Sequence, residues 1–236
     1  MSTTDVLERS ETRRSITPGW PEIVVGLVVL VAVAFGFPAL LKATGVAEHL
    51  SSLASGLILA ALSGVAGLIA FFAANQVRIH DWSAFGVRRT SVRWLLIGVA
   101  GGIVAAIVWR LVAGIVLVLV GPTENIQEPY RDAAQGSVFL IVLSILFLAV
   151  LTPLGEEFLF RGVITTALLR YGALIGVIGS TLIFALAHWN LAISIIALVV
   201  GLIAAELRRR SGSVWPGFVV HLVNNLIGQL IIVVWL

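Results

Sequence analysis

The chain has 236 residues, of which 59% are hydrophobic and 11% charged, whereas a soluble domain carries roughly 25% charged residues. That balance excludes an ordinary soluble fold and indicates a polytopic membrane protein. The net charge of +3 sits in short arginine clusters between apolar runs, the pattern of membrane orientation and not of a nucleic-acid surface; the lack of cysteine rules out disulfides and thiolate metal sites.

Residues 1–19 read as a polar cytoplasmic tail carrying both signs of charge: Asp5, Glu8, Arg9, Glu11, Arg13 and Arg14. No short apolar core with a small-residue cleavage site precedes the first apolar run, so the tail is not read as a cleavable signal peptide. Seven apolar runs follow, over about 22–41, 51–74, 95–120, 137–170, 173–189, 191–207 and 214–236, each near the roughly 20 residues that cross a bilayer. The fold class is all-α: a polytopic transmembrane helical bundle of seven or eight membrane segments. The open point is the fourth run, whose 34 residues would rise roughly 51 Å as one helix. Pro153 is expected to kink it or to divide it in two.

Between the second and third runs lie Arg78, Arg88, Arg89 and Arg93. In the same connection, Asp81 to Arg89 read as an interfacial loop with aromatic anchors. Gly98, Gly101 and Gly102 on the third run, and Gly172 and Gly176 later, have the small-residue spacing of closely packed helices. Arg110 lies mid-span and is expected to pair with an acidic group or to snorkel, a structural role. The connection 121–136 holds Glu124, Glu128 and Asp132 against Arg131 alone, while Arg170 ends the fourth run and Arg208 to Arg210 end the sixth. This asymmetry puts the N-terminus in the cytoplasm, with the C-terminus outside for seven segments and inside for eight.

The polar groups within the later runs are the chemically informative ones, because charge at membrane depth costs on the order of 2.5–3.5 kcal/mol per residue on insertion scales and by default marks function. Glu157 and Arg161 are four residues apart, so on a helix they share a face and can pair. Glu156 is rotated about 100° away. The arrangement suits one structural carboxylate and one reactive one. Gly172 marks a turn, with Glu156 and His188 each 16 residues from it. At 1.5 Å per residue both stand about 24 Å from that turn, so a helical hairpin brings them to one depth. From Ser213, His221 is about 12 Å deep and Asn225 about 18 Å. These two share a face and offer N–H donors that could hold an oxyanion, a kind of contact worth about 2.7–4 kcal/mol. Phe184, one turn before His188, is read as packing.

At these residues the chain resembles the CAAX prenyl protease and bacteriocin-processing family of intramembrane proteases (CPBP, or Abi). Three motifs match in order: Glu156-Glu157-x-x-x-Arg161, Phe184-x-x-x-His188 and His221-x-x-x-Asn225. Each is weak alone; together, over residues 150–226 of a polytopic chain, they are specific. The resemblance implies a membrane peptidase in which Glu156, acting with His188, is general base for a water. His221 and Asn225 would then hold the oxyanion, and Glu157 and Arg161 would arrange the site. It divides the chain into the tail 1–19, N-terminal transmembrane helices 20–136 and catalytic core helices 137–236.

The family is often labelled as metalloproteases. Glu156, His188 and His221 could hold Zn²⁺ with an open position for water, but no His-Glu-x-x-His motif is present and the three come from separate runs. The preferred expectation is a metal-free glutamate mechanism needing no cofactor, with zinc as the alternative. The expected partners are a membrane-associated peptide or protein substrate and the lipid bilayer, with no nucleic acid. The expected location is a prokaryotic plasma membrane. Two further functions remain: a non-catalytic membrane partner in bacteriocin immunity or maturation, and a proton-coupled transporter, for which inverted repeats are not evident.

Overall fold

A computed structural model describes residues 17–120 and 137–235. Most of the tail and the acidic connection 121–136 lie outside the described residues. All regular structure within them is helical. Among the described residues the seven long helices are α1 (Trp20–Ala43), α2 (Ser52–Val77), α3 (Val92–Val120), α4 (Val138–Tyr171), α5 (Ile175–Leu186), α6 (Leu191–Ser211) and α7 (Trp215–Trp235). Each follows one apolar run of the sequence. Helices α1 to α4 and α7 are long and apolar enough to cross a membrane, so the chain is an integral membrane protein.

Local chemistry sets several helix ends. The Ser51 hydroxyl accepts from the Ala54 N–H at the start of α2, and the Asn190 side-chain Oδ1 accepts from the Ile193 N–H at the start of α6, each satisfying a first-turn amide that has no partner inside the helix. Gly212, at φ 68°, ends α6, a left-handed conformation open to glycine at little cost.

The fourth run is neither divided nor stopped at Pro153, as the sequence had allowed. It stays helical from Val138 to Tyr171, but its hydrogen bonding widens to π-helical over Leu146–Leu151 and Glu157–Thr165. Between them, Pro153 opens the α-helical turn Thr152–Glu156, a position where its missing N–H is tolerated. The Leu148 carbonyl, five residues before Pro153, accepts instead from Asn225 Nδ2 at 2.9 Å. The wide turns let the helix pass its proline without breaking.

Helix α4 is the centre of the bundle. It meets α2 backbone to backbone, since a Cβ on Gly155 would collide with the Gly64 carbonyl, and the Thr152 hydroxyl donates to the Ala60 carbonyl at 3.0 Å. On the other side of the molecule α3 runs parallel to α7, with Gly98 against Pro216 and Val219 and Gly102 against Val220 and Val223. The small-residue spacing on α3 therefore serves close packing. The connection after α2 is not simply an interfacial loop. Phe85 is fully buried and its ring stands 5.4 Å from that of Phe71, which in turn meets Phe158 at 5.1 Å. The turn at Gly86 (φ 78°) folds it inward, and Val214 N–H donates to the Gly86 carbonyl at 3.0 Å. Asp81 caps this turn; hydrogen bonds from the Ser83 hydroxyl and then its N–H hold the carboxyl below its ordinary range.

The basic connections gather at one end of the bundle. Arg88 Nε donates to the Gly212 carbonyl at 2.8 Å, Arg208 Nη2 to the Thr166 hydroxyl at 2.8 Å, and Arg170 to the Pro18 carbonyl. Arg78 forks onto Glu22 at 2.8 and 2.7 Å, and the same carboxylate takes the Gly19 N–H. Glu22 is fully buried and went unremarked in the sequence reading; an acidic residue in the first turn of a helix is the signal that would have found it.

Candidate active site

Residues Gly155 to Thr165 of α4 are buried without interruption, and they carry both carboxylates and the arginine. Arg161 Nη1 lies 3.0 Å from Glu157 Oε1, with both side chains almost wholly buried. The contact is ionic more than directional, because neither Glu157 oxygen has an aligned hydrogen bond. The Phe184 ring covers the guanidinium at 4.2 Å, a favourable place for a cation. Gly217 on α7 makes room for this pair: a Cβ there would stand 2.5 Å from Glu157 Oε2.

Glu156 points elsewhere, as its rotation from Glu157 requires. Its Oε1 accepts from the Ser63 hydroxyl of α2 at 2.8 Å. Its Oε2 lies 3.8 Å from His221 Nε2, while His221 Nδ1 lies 3.4 Å from Glu157 Oε1. The imidazole thus stands between the two carboxylates, between the buried ion pair and the cavity. Glu156 Oε2 is buried without an aligned hydrogen bond.

Helix α5 ends at Leu186, so His188 lies in the turn beyond it and not on a straight helix sixteen residues from Gly172. Its Nδ1 is 2.8 Å from the Phe184 carbonyl, a contact that closes the helix end, and its ring meets the Phe184 ring at 4.8 Å. Phe184 also meets His221 at 5.8 Å. The side chain read as packing is therefore the surface shared by Arg161 and both histidines. Asn225 Nδ2, already bonded to the Leu148 carbonyl, keeps a second N–H, and its Oδ1 accepts from Asn224 at 3.0 Å.

These groups border one cavity of ≈ 390 Å³, lined by Glu156, His188, His221, Asn224, Asn225 and Ser63, and beyond them by Arg110 and Gln229. The volume falls in the range of small-molecule sites. Glu157 and Arg161 do not line it; they lie behind its wall. Of the six residues singled out in the sequence, four face the cavity and two brace it. Sequence reasoning missed Ser63 and Gln229. Ser63 is a polar side chain inside an apolar run, and Gln229 extends the His221–Asn225 spacing by four residues, so both left a trace.

A catalytic zinc takes three protein ligands at about 2.0–2.2 Å. Among the described residues no three of His, Asp and Glu converge in that way. Glu156 and His221 approach each other, but His188 is turned to the Phe184 carbonyl. The donor set as it stands does not fit a three-ligand metal.

Residues 138–227 match the family model described as type II CAAX prenyl endopeptidase Rce1-like. The match covers all three motifs and bears out the resemblance to the CAAX prenyl protease family; it leaves α1 to α3 uncovered. No curated protein and no solved structure gives a significant match.

Proposed function

We propose that this protein is an intramembrane endopeptidase that hydrolyses a peptide bond with a water activated by Glu156. The observation that carries the reading is the convergence of Glu156, His188, His221 and Asn225 on one cavity inside an apolar helical bundle. The family match supports the same class of activity.

In this reading Glu156 Oε2 takes a proton from the water as its oxygen bonds to the scissile carbonyl carbon. The carbonyl oxygen becomes an oxyanion, held by the free N–H of Asn225 and by an imidazole N–H of His221. Collapse of the tetrahedral intermediate breaks the C–N bond, and the proton on Glu156 passes to the departing amine. His188 completes the opposite wall and orients the water. Ser63 fixes the Glu156 carboxylate from α2, and the Glu157–Arg161 pair stands behind His221, with Glu157 Oε1 3.4 Å from its Nδ1. No metal or cofactor is required. The substrate is a membrane-associated peptide or protein, and the basic end of the bundle faces the cytoplasm.

The deciding experiment is capture of substrates on purified Glu156→Gln protein, followed by mass spectrometry of the trapped peptides and cleavage of those peptides by wild-type protein. Cleavage by wild type and none above background by Glu156→Gln is the expected result. Retention of the cellular function by Glu156→Gln would favour a non-catalytic membrane partner instead.

A further inference from the structure

The basic end of the bundle buries an arginine that meets no carboxylate. Arg208 lies in the last turn of α6 and is 6% exposed. Its guanidinium lies across Gly86, where a Cβ would collide with Cζ, Nη2 and Nε. Nη2 donates to the Thr166 hydroxyl at 2.8 Å, while Nε is buried and has no hydrogen-bond partner among the described residues. Among those residues no carboxylate forms an ion pair with Arg208, and the charge that acts on it is that of Arg88, of like sign. The nearby carboxylates are engaged elsewhere, Glu22 with Arg78 and Glu206 with Arg209 and Arg210. A buried cation with an idle N–H is costly unless an acceptor meets it. Arg88 comes to the same place. Val214 N–H donates to the Gly86 carbonyl at 3.0 Å, the Ser213 hydroxyl to the Arg88 carbonyl at 2.7 Å, and Arg88 Nε to the Gly212 carbonyl at 2.8 Å. Gly212 in turn donates its N–H to the Arg208 carbonyl at 3.0 Å. Segments 86–88 and 212–214 are thus fastened together, and they hold both guanidinium groups. Arg88 is exposed, and beyond its Nε bond it keeps four N–H donors.

We propose that Arg208 and Arg88 form an anion site at the basic end of the bundle, and that it takes a phosphate group with net negative charge. The site stands apart from the peptidase reading, since neither arginine lines the cavity. Arg88 is its exposed part and Arg208 its buried part. A phosphate carries several acceptor oxygens that point in different directions. One group can therefore accept from Nε of Arg208 and from the Nη atoms of Arg88, and guanidinium is the side chain best matched to it. The shared anion offsets the repulsion between the two cations. The end of a membrane bundle that gathers arginine also stands at headgroup depth, where phosphate is the abundant anion and basic recesses between helices hold it. A lipid headgroup and free phosphate offer the same chemistry, and the experiment separates them.

The test uses full-length protein in a neutral maltoside detergent. Thermal unfolding is followed while dioctanoyl phosphatidylglycerol, dioctanoyl phosphatidylcholine or inorganic phosphate is titrated in at constant ionic strength. A ligand of the folded state raises Tm by mass action, and the titration gives its apparent Kd. Phosphatidylglycerol or inorganic phosphate should bind at least about tenfold more tightly than phosphatidylcholine. A response to the anionic lipid alone makes the ligand a headgroup; an equal response to inorganic phosphate makes it the free ion. Arg208→Gln should weaken that binding at least about tenfold, and Arg88→Gln by a smaller factor. Arg89→Gln removes the same charge from the next, exposed position and should leave the binding unchanged. If Arg208→Gln does not fold, Arg208→Lys, which keeps the charge and loses the fork, and Arg88→Gln carry the comparison with Arg89→Gln. Absence of a saturable response to either anion overturns the proposal. So does a response that the Arg208 and Arg88 variants weaken no more than Arg89→Gln does, since that is the mark of general surface charge.

Discussion

Glu156 and Glu157 are neighbours in sequence, both buried, and they live in different chemistry. Glu157 is shut behind the cavity wall, matched by Arg161 at 3.0 Å and roofed, through that arginine, by Phe184. Glu156 faces the cavity, with one oxygen held by Ser63 and the other without an aligned hydrogen bond. A charge that is paired and sealed contributes order; in the proposed mechanism the carboxylate that is oriented but left with a free oxygen supplies the base. His221 stands between the two carboxylates, 3.8 Å from Glu156 Oε2 and 3.4 Å from Glu157 Oε1.

The strongest way to break this contrast is to remove the sealed cation. Arg161→Ala leaves Glu157 buried and unpaired, and losing one partner of such a pair costs about 3–5 kcal/mol. Thermal unfolding in detergent should show a large drop for Arg161→Ala and little change for Glu156→Gln. Equal destabilisation would make Glu156 structural too.

Asn225→Ala comes next, because it acts on both sides. It removes the proposed oxyanion donor, with an expected loss of about 10²–10³ in kcat, and strands the Leu148 carbonyl, at about 1–3 kcal/mol of stability. Paired measurements of turnover and unfolding check this. A stability loss with full activity would confine Asn225 to bracing Pro153's turn.

Ser63→Ala sharpens the contrast more gently. Loss of a hydrogen bond to a charged group is worth about 1.5 kcal/mol or more, about tenfold in rate. The expected signature is lower kcat at little changed KM, restored in part by Ser63→Thr. Unaltered kcat would remove Ser63 from the positioning of Glu156.

The smallest expected effect is that of a chelator. Activity should survive exhaustive dialysis against one, since the proposed chemistry uses a carboxylate base and N–H donors. Stoichiometric metal on elemental analysis, with activity lost on chelation and restored by zinc, would reassign Glu156, His188 and His221 as ligands.

Much of this was legible in the chain. Each of the seven apolar runs became a helix, because in lipid an isolated backbone must satisfy its own hydrogen bonds. The pairing of Glu157 with Arg161 followed from their spacing, and the divergence of Glu156 from its rotation by one residue. The three motifs, with the family they resemble, were also visible, and the family match falls on them.

Other features were decided by contacts between distant segments, which no local spacing encodes. Reading 16 residues as about 24 Å of helix placed His188 at the depth of Glu156; both do line the cavity, with α5 ending two residues before His188 and the Phe184 carbonyl 2.8 Å from its imidazole. Pro153 looked like a break until α7 supplied Asn225 to the Leu148 carbonyl. Phe85 looked like a lipid anchor until Gly86 turned it into the aromatic core. Ser63 meets Glu156 across a gap of 93 positions because Gly64 and Gly155 let α2 and α4 touch at the backbone. The sequence by itself determined which segments are helices and which neighbouring side chains share a face, since both depend on the regular geometry of one helix. Only the tertiary structure decided which carboxylate faces the cavity and what lines its far end, because those depend on the close approach of separate helices.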